Sequence, residues 1–323
     1  MKVYISKKIP TEAKSLLEQS GYQVSVWNEE RAITKEELIS NSSDCDALIS
    51  MLSDKIDSDF FTRCKKIKVV SNYAVGYNNI DVVDATKRKI AIGNTPDVLT
   101  EATADLALSL LLSISRKLTP AYQNVISGNW SAWEPLGFLG STLRGKTLGI
   151  FGAGRIGQCM AKTCHQAFGM KIIYTSRTDK PYFDRDCNAK RVSFNELIKN
   201  SDVISLHSSL TDENKNLFNA SVFNKMKKGS FFINTARGEM HNEEDLFHAL
   251  RSGEIEAAAL DVTNPEPMSK NSPLLKLDNF LVTPHIGSAT NQARREMAKL
   301  VANNIINALE KRPLIGDVNN LYT

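Results

Sequence analysis

The sequence has few cysteines, and none of them form a paired motif. Its five cysteines are scattered over 323 residues without the Cys-x-x-Cys spacing of zinc sites and redox motifs. An odd, dispersed set of this kind argues against a disulfide scaffold and is typical of reduced thiols in the cytosol. We therefore expect a cytoplasmic protein without a metal site.

Long apolar runs, an apolar leader and blocks of one charge are also missing. No apolar stretch approaches the ~18 residues that a transmembrane helix needs. The first ten residues, MKVYISKKIP, lack the apolar core of a signal peptide. Lysine and arginine number 40 against 36 aspartates and glutamates, and this mild excess without a basic cluster gives no support for nucleic-acid binding. We expect a soluble globular protein that binds neither membranes nor nucleic acid.

Short β-branched runs alternate with longer helical patterns. The first third contains KVYIS, YQVSVW, DALIS, IKVVSN and KIAIG; a second series of six runs, from TLGIFG to NFLVTPH, begins at Thr147. Such alternation predicts βα units on parallel sheets. Long helical patterns at residues 100–118 and 288–311 flank the second series. We predict an α/β fold in which a Rossmann dinucleotide-binding domain, residues 100–288, is inserted into a flavodoxin-like substrate domain, residues 1–99 and 289–323, with the active site between them.

A glycine motif, Gly152-x-Gly154-x-x-Gly157, lies between an apolar run and a helical pattern. In this context Gly152 permits a tight turn, Gly154 lets the backbone approach a pyrophosphate, and Gly157 lets helix and strand pack closely. The free N–H groups at the helix N-terminus attract phosphate. The motif predicts a bound dinucleotide, and a purely structural βα turn is the alternative.

The end of the next predicted strand indicates which dinucleotide binds. An acidic residue is expected there in proteins that bind the ribose 2′-OH of NAD, but this strand ends with Ser176, Arg177 and Thr178. Two hydroxyls and a guanidinium suit the 2′-phosphate of NADP. We predict NADP, with NAD possible. In the alternative, Arg177 is an ordinary surface charge and Asp179 binds the ribose.

Three polar residues follow successive predicted strands in the second series. Arg237 lies in INTARGE, Glu266 in ALDVTNPEP and His285 in LVTPHIGSAT. Ligands of open parallel sheets bind beyond the carboxyl ends of the strands. Hydride transfer to a carbonyl needs a proton donor such as histidine, a carboxylate would orient and charge that ring, and a guanidinium can bind a 2-oxo acid. Each residue alone could be structural or solvated; together they predict a catalytic group.

Six segments between residues 71 and 290 resemble the D-isomer-specific 2-hydroxyacid dehydrogenase family, in the family's order: SNYAVGYNNID, LTEATADLALSLLL, LRGKTLGIFGAGRIG, FFINTARGE, ALDVTNPEP and VTPHIGSAT. The resemblance implies that Arg237 binds substrate, that Glu266 is the carboxylate partner and that His285 is the acid/base. It also implies a substrate site at the backbone of Val75 and Gly76, whose size Trp133 of a partner subunit helps to limit. We expect the pocket size to depend also on residues around Leu52. The cofactor contacts it implies are Thr103, Arg155, Ile156, Thr235, Ala236, Asp261 and Gly287, with Asp261 meeting the nicotinamide carboxamide.

Within the family the chain is most similar to the glyoxylate/hydroxypyruvate reductases. The TSR strand end, the GNWSAWEPLGFLGSTLRGKT segment and the GSAT after His285 support this assignment. One motif departs from the family pattern HxPLT, because Ser209 stands where proline is usual; His207 in that motif is interpreted as structural. The alternatives are another branch, such as 2-ketogluconate reductase or phosphoglycerate dehydrogenase, and a dinucleotide-sensing corepressor.

The segment from Gly128 to Gly140 predicts an interface. It is rich in large apolar side chains within a stretch punctuated by glycine and proline: Trp130, Trp133, Leu136, Phe138 and Leu139. Aromatic residues that cannot be buried within their own domain usually mark contacts between proteins. We predict a two-fold homodimer in which this segment and the 100–118 helix pack against the partner. A flap that stays within one chain is the alternative.

Overall fold

A computed structural model describes residues 1–322 and divides the chain into two compact units. The first unit comprises Met1–Leu99 and the chain from Ser288 onward, and the second comprises Thr100–Gly287. Ser288, which the sequence pattern assigned to the second unit, falls in the first. It lies next to Thr290, the residue that caps the final helix, and therefore belongs with that helix.

The first unit is built on a five-stranded parallel sheet. Its strands, numbered along the chain, are β1 (Lys2–Ile5), β2 (Gln23–Val26), β3 (Ala47–Ser50), β4 (Val69–Asn72) and β5 (Ala91–Gly93), in the order β2-β1-β3-β4-β5. This is the order of flavodoxin-like sheets. Its helices are α1 (Glu12–Gln19), α2 (Lys35–Ser42), α3 (Ser58–Arg63), α4 (Val82–Lys87) and, after the second unit, α12 (Asn291–Leu309). The expected flavodoxin-like class is confirmed.

Helix α12 joins the end of the chain to its beginning within this unit. It packs against α1 and the central strands, and its buried Asn304 donates from Nδ2 to the Asn94 carbonyl at 3.0 Å. The Asn304 Oδ1 accepts from the backbone N–H groups of Ile315 and Gly316 at 3.1 Å each. A buried amide with both ends satisfied fixes one geometry. The C-terminal residues are therefore an integral part of the first sheet's packing.

The second unit contains a seven-stranded parallel sheet in the order β12-β11-β10-β9-β6-β7-β8. The strands are β6 (Thr147–Phe151), β7 (Lys171–Thr175), β8 (Lys190–Arg191), β9 (Val203–Leu206), β10 (Phe231–Asn234), β11 (Ala257–Leu260) and β12 (Phe280–Val282). Starting from β6, this is the doubly wound order of Rossmann domains. The six strands expected from the pattern are present. The seventh, β8, was missed because two exposed residues carry no hydrophobic pattern.

Seven helices surround this sheet: α5 (Thr100–Ser115), α6 (Leu118–Ile126), α7 (Arg155–Phe168), α8 (Pro181–Cys187), α9 (Phe194–Asn200), α10 (Ala220–Phe223) and α11 (Glu243–Ser252). Apolar clusters fill the space on the two faces of the sheet. No helix among residues 1–322 is long and apolar enough to cross a membrane. In the same residues, no group of three or more histidine, cysteine or acidic side chains could hold a metal ion.

The expectation of one continuous helix over residues 100–118 is wrong. Helix α5 ends at Ser115, Lys117 has a φ of +52°, and a separate helix, α6, starts at Leu118. The Ser115 carbonyl, which a continuing helix would use, accepts instead from the Ser141 N–H at 2.8 Å. Pro120 has no N–H with which to extend the helical bonding. The break therefore has two causes, a hydrogen bond from a residue distant in the sequence and a proline near the start of α6.

Candidate active site

The glycine turn between β6 and α7 has one open position and two closed ones. Gly152 has a φ of +97°, and a Cβ there would lie 2.6 Å from the Ser208 backbone nitrogen. A Cβ on Gly157 would lie 2.5 Å from the Gly152 carbonyl oxygen. At Gly154 a Cβ would meet none of the described residues within 4 Å. The turn is thus tightly packed from behind and open in front, where α7 begins, as a pyrophosphate site requires.

His207 lies behind this turn. Its Nε2 is 2.8 Å from the Ser205 hydroxyl, and loss of hydration lowers its pKa to about 4. The ring is therefore neutral near pH 7 and cannot serve as a cationic proton donor there. Its backbone and Cβ pack against the glycines, since a Cβ on Gly157 would lie 3.3 Å from the His207 Cβ.

The turn after β7 contains an ion pair and an arginine, Arg177, that takes no part in it. Arg177 is exposed, and its guanidinium forms no hydrogen bond or ion pair with residues 1–322. Lys180 donates from Nζ to the Thr178 hydroxyl at 2.9 Å. Asp179, the alternative ribose ligand, accepts from Arg191 Nη1 at 2.7 Å. The free guanidinium leaves a positive charge available at this turn.

Asp261 organises the loop after β12. Its Oδ1 accepts from the Thr283 hydroxyl at 2.6 Å and from the Ile286 N–H at 2.8 Å, and its Oδ2 accepts from the Gly287 N–H at 2.8 Å. Burial raises the pKa of this carboxyl, and these hydrogen bonds act against the rise. A Cβ on Gly287 would lie 3.2 Å from the Thr103 methyl group. Three of the predicted cofactor residues, Thr103, Asp261 and Gly287, therefore lie together.

The loop after β10 carries Arg237 and is held by Asn234. The Asn234 Nδ2 donates to the Arg237 carbonyl at 2.8 Å, while its Oδ1 accepts from the Ala236 N–H at 2.9 Å. The Thr235 hydroxyl is buried and has no partner among residues 1–322. Buried polar atoms are almost always hydrogen-bonded, so this orphaned hydroxyl fits a loop that receives a polar ligand group. Sequence reasoning missed Asn234, although a polar residue ending a buried strand was a usable signal.

Burial lowers the pKa of the Arg237 guanidinium, and the nearby charges of Glu239 and Glu266 counter the shift. Its Nη1 donates to the Ala236 carbonyl at 2.7 Å. An arginine remains charged in such a place because its intrinsic pKa is so high. The site therefore contains a partly desolvated cation, which attracts a carboxylate more strongly than a solvated one does.

His285 and Glu266 form a direct pair. The His285 Nδ1 lies 2.6 Å from Glu266 Oε1, and the Thr263 N–H donates to Glu266 Oε2 at 3.3 Å. Burial raises the pKa of the Glu266 carboxyl, but its hydrogen bonds and the charges of His285 and Arg237 lower it more, to a net value below normal. The other ring nitrogen, Nε2, has no partner among residues 1–322. An imidazole held at Nδ1 and open at Nε2 is arranged to exchange a proton with a ligand.

The predicted substrate residues of the first unit lie on two loops joined by side-chain amides. Leu52 and Val75 are both exposed. The Asn72 Nδ2 donates to the Gly76 carbonyl at 2.8 Å, and the Asn79 Nδ2 donates to the Met51 carbonyl at 3.1 Å. Asn72 Nδ2 also donates to Asn79 Oδ1 at 3.2 Å, which links the two loops. Sequence reasoning missed both asparagines, because nothing in the pattern separates a bracing amide from a solvated one.

The Gly128–Gly140 segment exposes its large side chains. Trp133 is 83% exposed, and Trp130, Leu136, Phe138 and Leu139 are also exposed. Helix α6, which leads into the segment, has no buried residue, although Leu118, Tyr122, Val125 and Ile126 give it an apolar surface. No part of the second unit covers these side chains. These exposed apolar side chains are of the kind that marks an interface.

A parallel sheet in Rossmann order, an open glycine turn and a histidine–carboxylate pair define a nicotinamide-dependent oxidoreductase. The family model described as "D-isomer specific 2-hydroxyacid dehydrogenase, NAD binding domain" matches residues 108–287. The chain is 45% identical over 309 residues to glyoxylate reductase of Thermococcus litoralis, covering 94% of this chain and 92% of that one. It belongs to the D-isomer-specific 2-hydroxyacid dehydrogenase family and is an NAD(P)-dependent oxidoreductase.

Two further relatives extend this comparison. The human protein named glyoxylate reductase/hydroxypyruvate reductase is 40% identical over 320 residues, which cover 98% of each chain. A solved structure of a protein from Thermus thermophilus superposes with a TM-score of 0.93 at 40% identity, covering 98% of this chain and 100% of that one. The resemblance therefore spans both units of the fold.

Proposed function

We propose that the protein reduces small 2-oxo acids with NADPH: glyoxylate to the achiral glycolate, and hydroxypyruvate to the D-2-hydroxy acid. The observation that carries this proposal is the His285–Glu266 pair at 2.6 Å, with Nε2 of His285 open to a ligand. The names of relatives at 40–45% identity over nearly the whole chain support the substrate class.

In this proposal the substrate is bound through its carboxylate and protonated at its carbonyl oxygen. The guanidinium of Arg237 binds the carboxylate, and the family resemblance also assigns the backbone of Val75 and Gly76 to the substrate. His285 donates its Nε2 proton to the oxygen on which negative charge develops. Glu266 holds the ring at Nδ1 and stabilises its charged form, because a carboxylate beside an imidazolium favours the protonated state. Hydroxy-acid oxidation would use the same residues in reverse, with neutral His285 accepting the proton.

The cofactor, which supplies the hydride when bound, fits the residues of the second unit. The open face at Gly154 and the start of α7 suit the pyrophosphate, and the orphaned Thr235 hydroxyl and the Asp261 loop suit the nicotinamide end. We assign the adenosine 2′-phosphate to the turn after β7. The full set of residues proposed to hold the cofactor is Thr103, Gly152, Gly154, Arg155, Ile156, Gly157, Ser176, Arg177, Thr178, Thr235, Ala236, Asp261 and Gly287.

We further propose a cytoplasmic two-fold homodimer. Its support is the apolar patch on α6 and the Gly128–Gly140 segment, next to a groove of about 400 Å³ whose lining includes Pro120, Phe138 and Phe280. Large aromatic side chains near a groove are the usual anchors of such contacts. Trp133 of one subunit would then limit the size of the partner's substrate pocket. The five free thiols fit a reducing compartment.

The test is a steady-state panel of 2-oxo acids with each cofactor. We expect the highest kcat/KM with glyoxylate or hydroxypyruvate, much lower values with 2-ketogluconate and with the oxidised form of 3-phosphoglycerate, and lower KM for NADPH than for NADH. Arg177→Asp should reverse or abolish the cofactor preference, because it replaces the phosphate's partner with a like charge. Higher kcat/KM with 2-ketogluconate would assign another branch, and no turnover with any 2-oxo acid would favour a dinucleotide sensor.

A further inference from the structure

Arg191, on the short edge strand β8, holds the turn assigned to the 2′-phosphate. Its Nε donates to the Ser176 carbonyl at 3.0 Å, its Nη2 to the Arg177 carbonyl at 3.2 Å, and its Nη1 to the Asp179 carboxylate at 2.7 Å. One guanidinium therefore fixes two consecutive backbone carbonyls and the only carboxylate among residues 176–180. The rigid, planar fork of arginine makes such multiple bonding possible.

The carboxylate of Asp179 matters because of its place in the sequence. A carboxylate near the end of the second Rossmann strand binds the ribose 2′-OH of NAD and repels the 2′-phosphate of NADP. Asp179 is two residues beyond Arg177, and unpaired it would oppose the phosphate that Arg177 attracts. In the structure, the Arg191 guanidinium neutralises the charge of Asp179 and holds its carboxylate.

We propose that Arg191 determines cofactor specificity by neutralising Asp179 and by fixing the backbone of the turn that presents Arg177. The inference rests on the proposed preference for NADPH and adds a residue that never needs to touch the phosphate. Arg191 is thus a positioning residue. Its partner Asp179 is a latent ligand for the 2′-OH of NAD.

The pair contributes little to the stability of the fold. The side chains of Arg191 and Asp179 are 41% and 75% exposed, and exposed ion pairs typically contribute very little to stability. Removing Arg191 should therefore change cofactor choice while Tm stays within about 3 °C of wild type. A purely structural role of Arg191 predicts instead a lower Tm with an unchanged cofactor choice.

The experiment compares Arg191→Gln, Asp179→Asn and the double variant with wild type. The matched control is Arg185→Gln, which removes another exposed arginine that pairs with an aspartate, Asp186, at 3.0 Å. Dissociation constants for 2′,5′-ADP and 5′-AMP are measured by calorimetry at low ionic strength. Steady-state kcat/KM is measured with NADPH and with NADH.

We expect Arg191→Gln to lower the preference for 2′,5′-ADP over 5′-AMP by about three- to tenfold, because the freed Asp179 carboxylate then repels the 2′-phosphate across screening solvent. The kcat/KM ratio of NADPH to NADH should fall in parallel. The double variant should recover most of the lost preference, because the freed carboxylate is gone. Arg185→Gln should leave both ratios within twofold of wild type.

Two results would overturn the inference and leave the proposed function intact. In the first, wild type prefers NADPH and Arg191→Gln keeps that preference. In the second, the double variant remains as impaired as Arg191→Gln, which would show that the Asp179 charge is not responsible. If wild type itself prefers NADH and 5′-AMP, the proposed cofactor preference is wrong and this inference is wrong with it.

Discussion

Replacing Gly154 with alanine tests whether the open face of the glycine turn binds the cofactor's pyrophosphate. Gly154 has φ −77° and ψ −172°, an extended conformation that alanine adopts freely. Its new methyl group would meet none of the described residues within 4 Å. Alanine gains about 0.4–1 kcal/mol by restricting the unfolded chain and loses a similar amount, about 0.5–1 kcal/mol, as a poorer helix N-cap. Stability should therefore change by less than about 1 kcal/mol, or roughly 4 °C in Tm.

Cofactor affinity should fall sharply in the same variant. A methyl group at Gly154 would occupy the space through which the pyrophosphate approaches the N–H groups of α7. Losing one charge-assisted hydrogen bond costs about 1.5–3 kcal/mol, which corresponds to a roughly ten- to hundredfold increase in Kd. The assay combines thermal unfolding of the free protein with quenching of tryptophan fluorescence by NADPH.

Gly152→Ala is the matched contrast. There the methyl group would lie 2.6 Å from the Ser208 nitrogen and 2.7 Å from its Cα, and the φ of +97° is unfavourable for alanine. Backbone strain of about 1–2 kcal/mol and overpacking of about 1–3 kcal/mol predict a Tm lower by roughly 4–20 °C. The reasoning is refuted if Gly154→Ala binds NADPH like wild type, or if it unfolds as early as Gly152→Ala.

Four further predictions concern the reacting groups and the assembly. His285→Ala should reduce kcat about a hundred- to ten-thousandfold with little change in NADPH Kd, and near-normal turnover would remove His285 from the mechanism. Arg237→Lys should raise KM for the oxo acid while cofactor Kd hardly changes; a selective loss of NADPH binding would instead place Arg237 at the cofactor. Because the pKa of Glu266 is lowered, its pairing stabilises the fold above the ordinary carboxyl pKa, and this stabilisation is lost as the pH falls through the lowered value. Glu266→Gln should therefore make Tm less sensitive to acid. A pH profile of Tm identical to wild type would contradict this prediction. Light scattering should give about twice 35.8 kDa, and Trp133→Ala should shift selectivity toward bulkier 2-oxo acids; a fully active monomer at micromolar concentration would refute both.

Periodicity and turn chemistry predicted most of the fold. Strands with several buried β-branched residues stood out, and the order of strands and helices is enough to give two parallel sheets. The wrong predictions concerned single elements. Strand β8 has two residues and no apolar pattern, and the end of α5 at Ser115 depends on a hydrogen bond from Ser141, 26 positions away in the sequence. Contacts between distant residues leave no signature in a local pattern.

The candidate site was predictable to a similar degree. His285, Glu266 and Arg237 were predicted because charged groups after successive buried strands are costly unless they have partners or a function. The supporting residues were missed: Asn234 and Arg191 act through backbone carbonyls and a neighbouring carboxylate. Their residue types are common on any surface, so only the folded geometry distinguishes them.

The division of the first unit into two stretches of sequence has a consequence for biosynthesis. The second unit is continuous, from Thr100 to Gly287, so a nascent chain can complete it before translation ends. The first sheet is synthesised earlier, yet it lacks α12 and the Asn304 hydrogen bonds until residues 291–316 leave the ribosome. Domains generally fold as units during synthesis. The unit whose synthesis starts first is therefore completed last, and the apolar surface that α12 covers stays exposed until then.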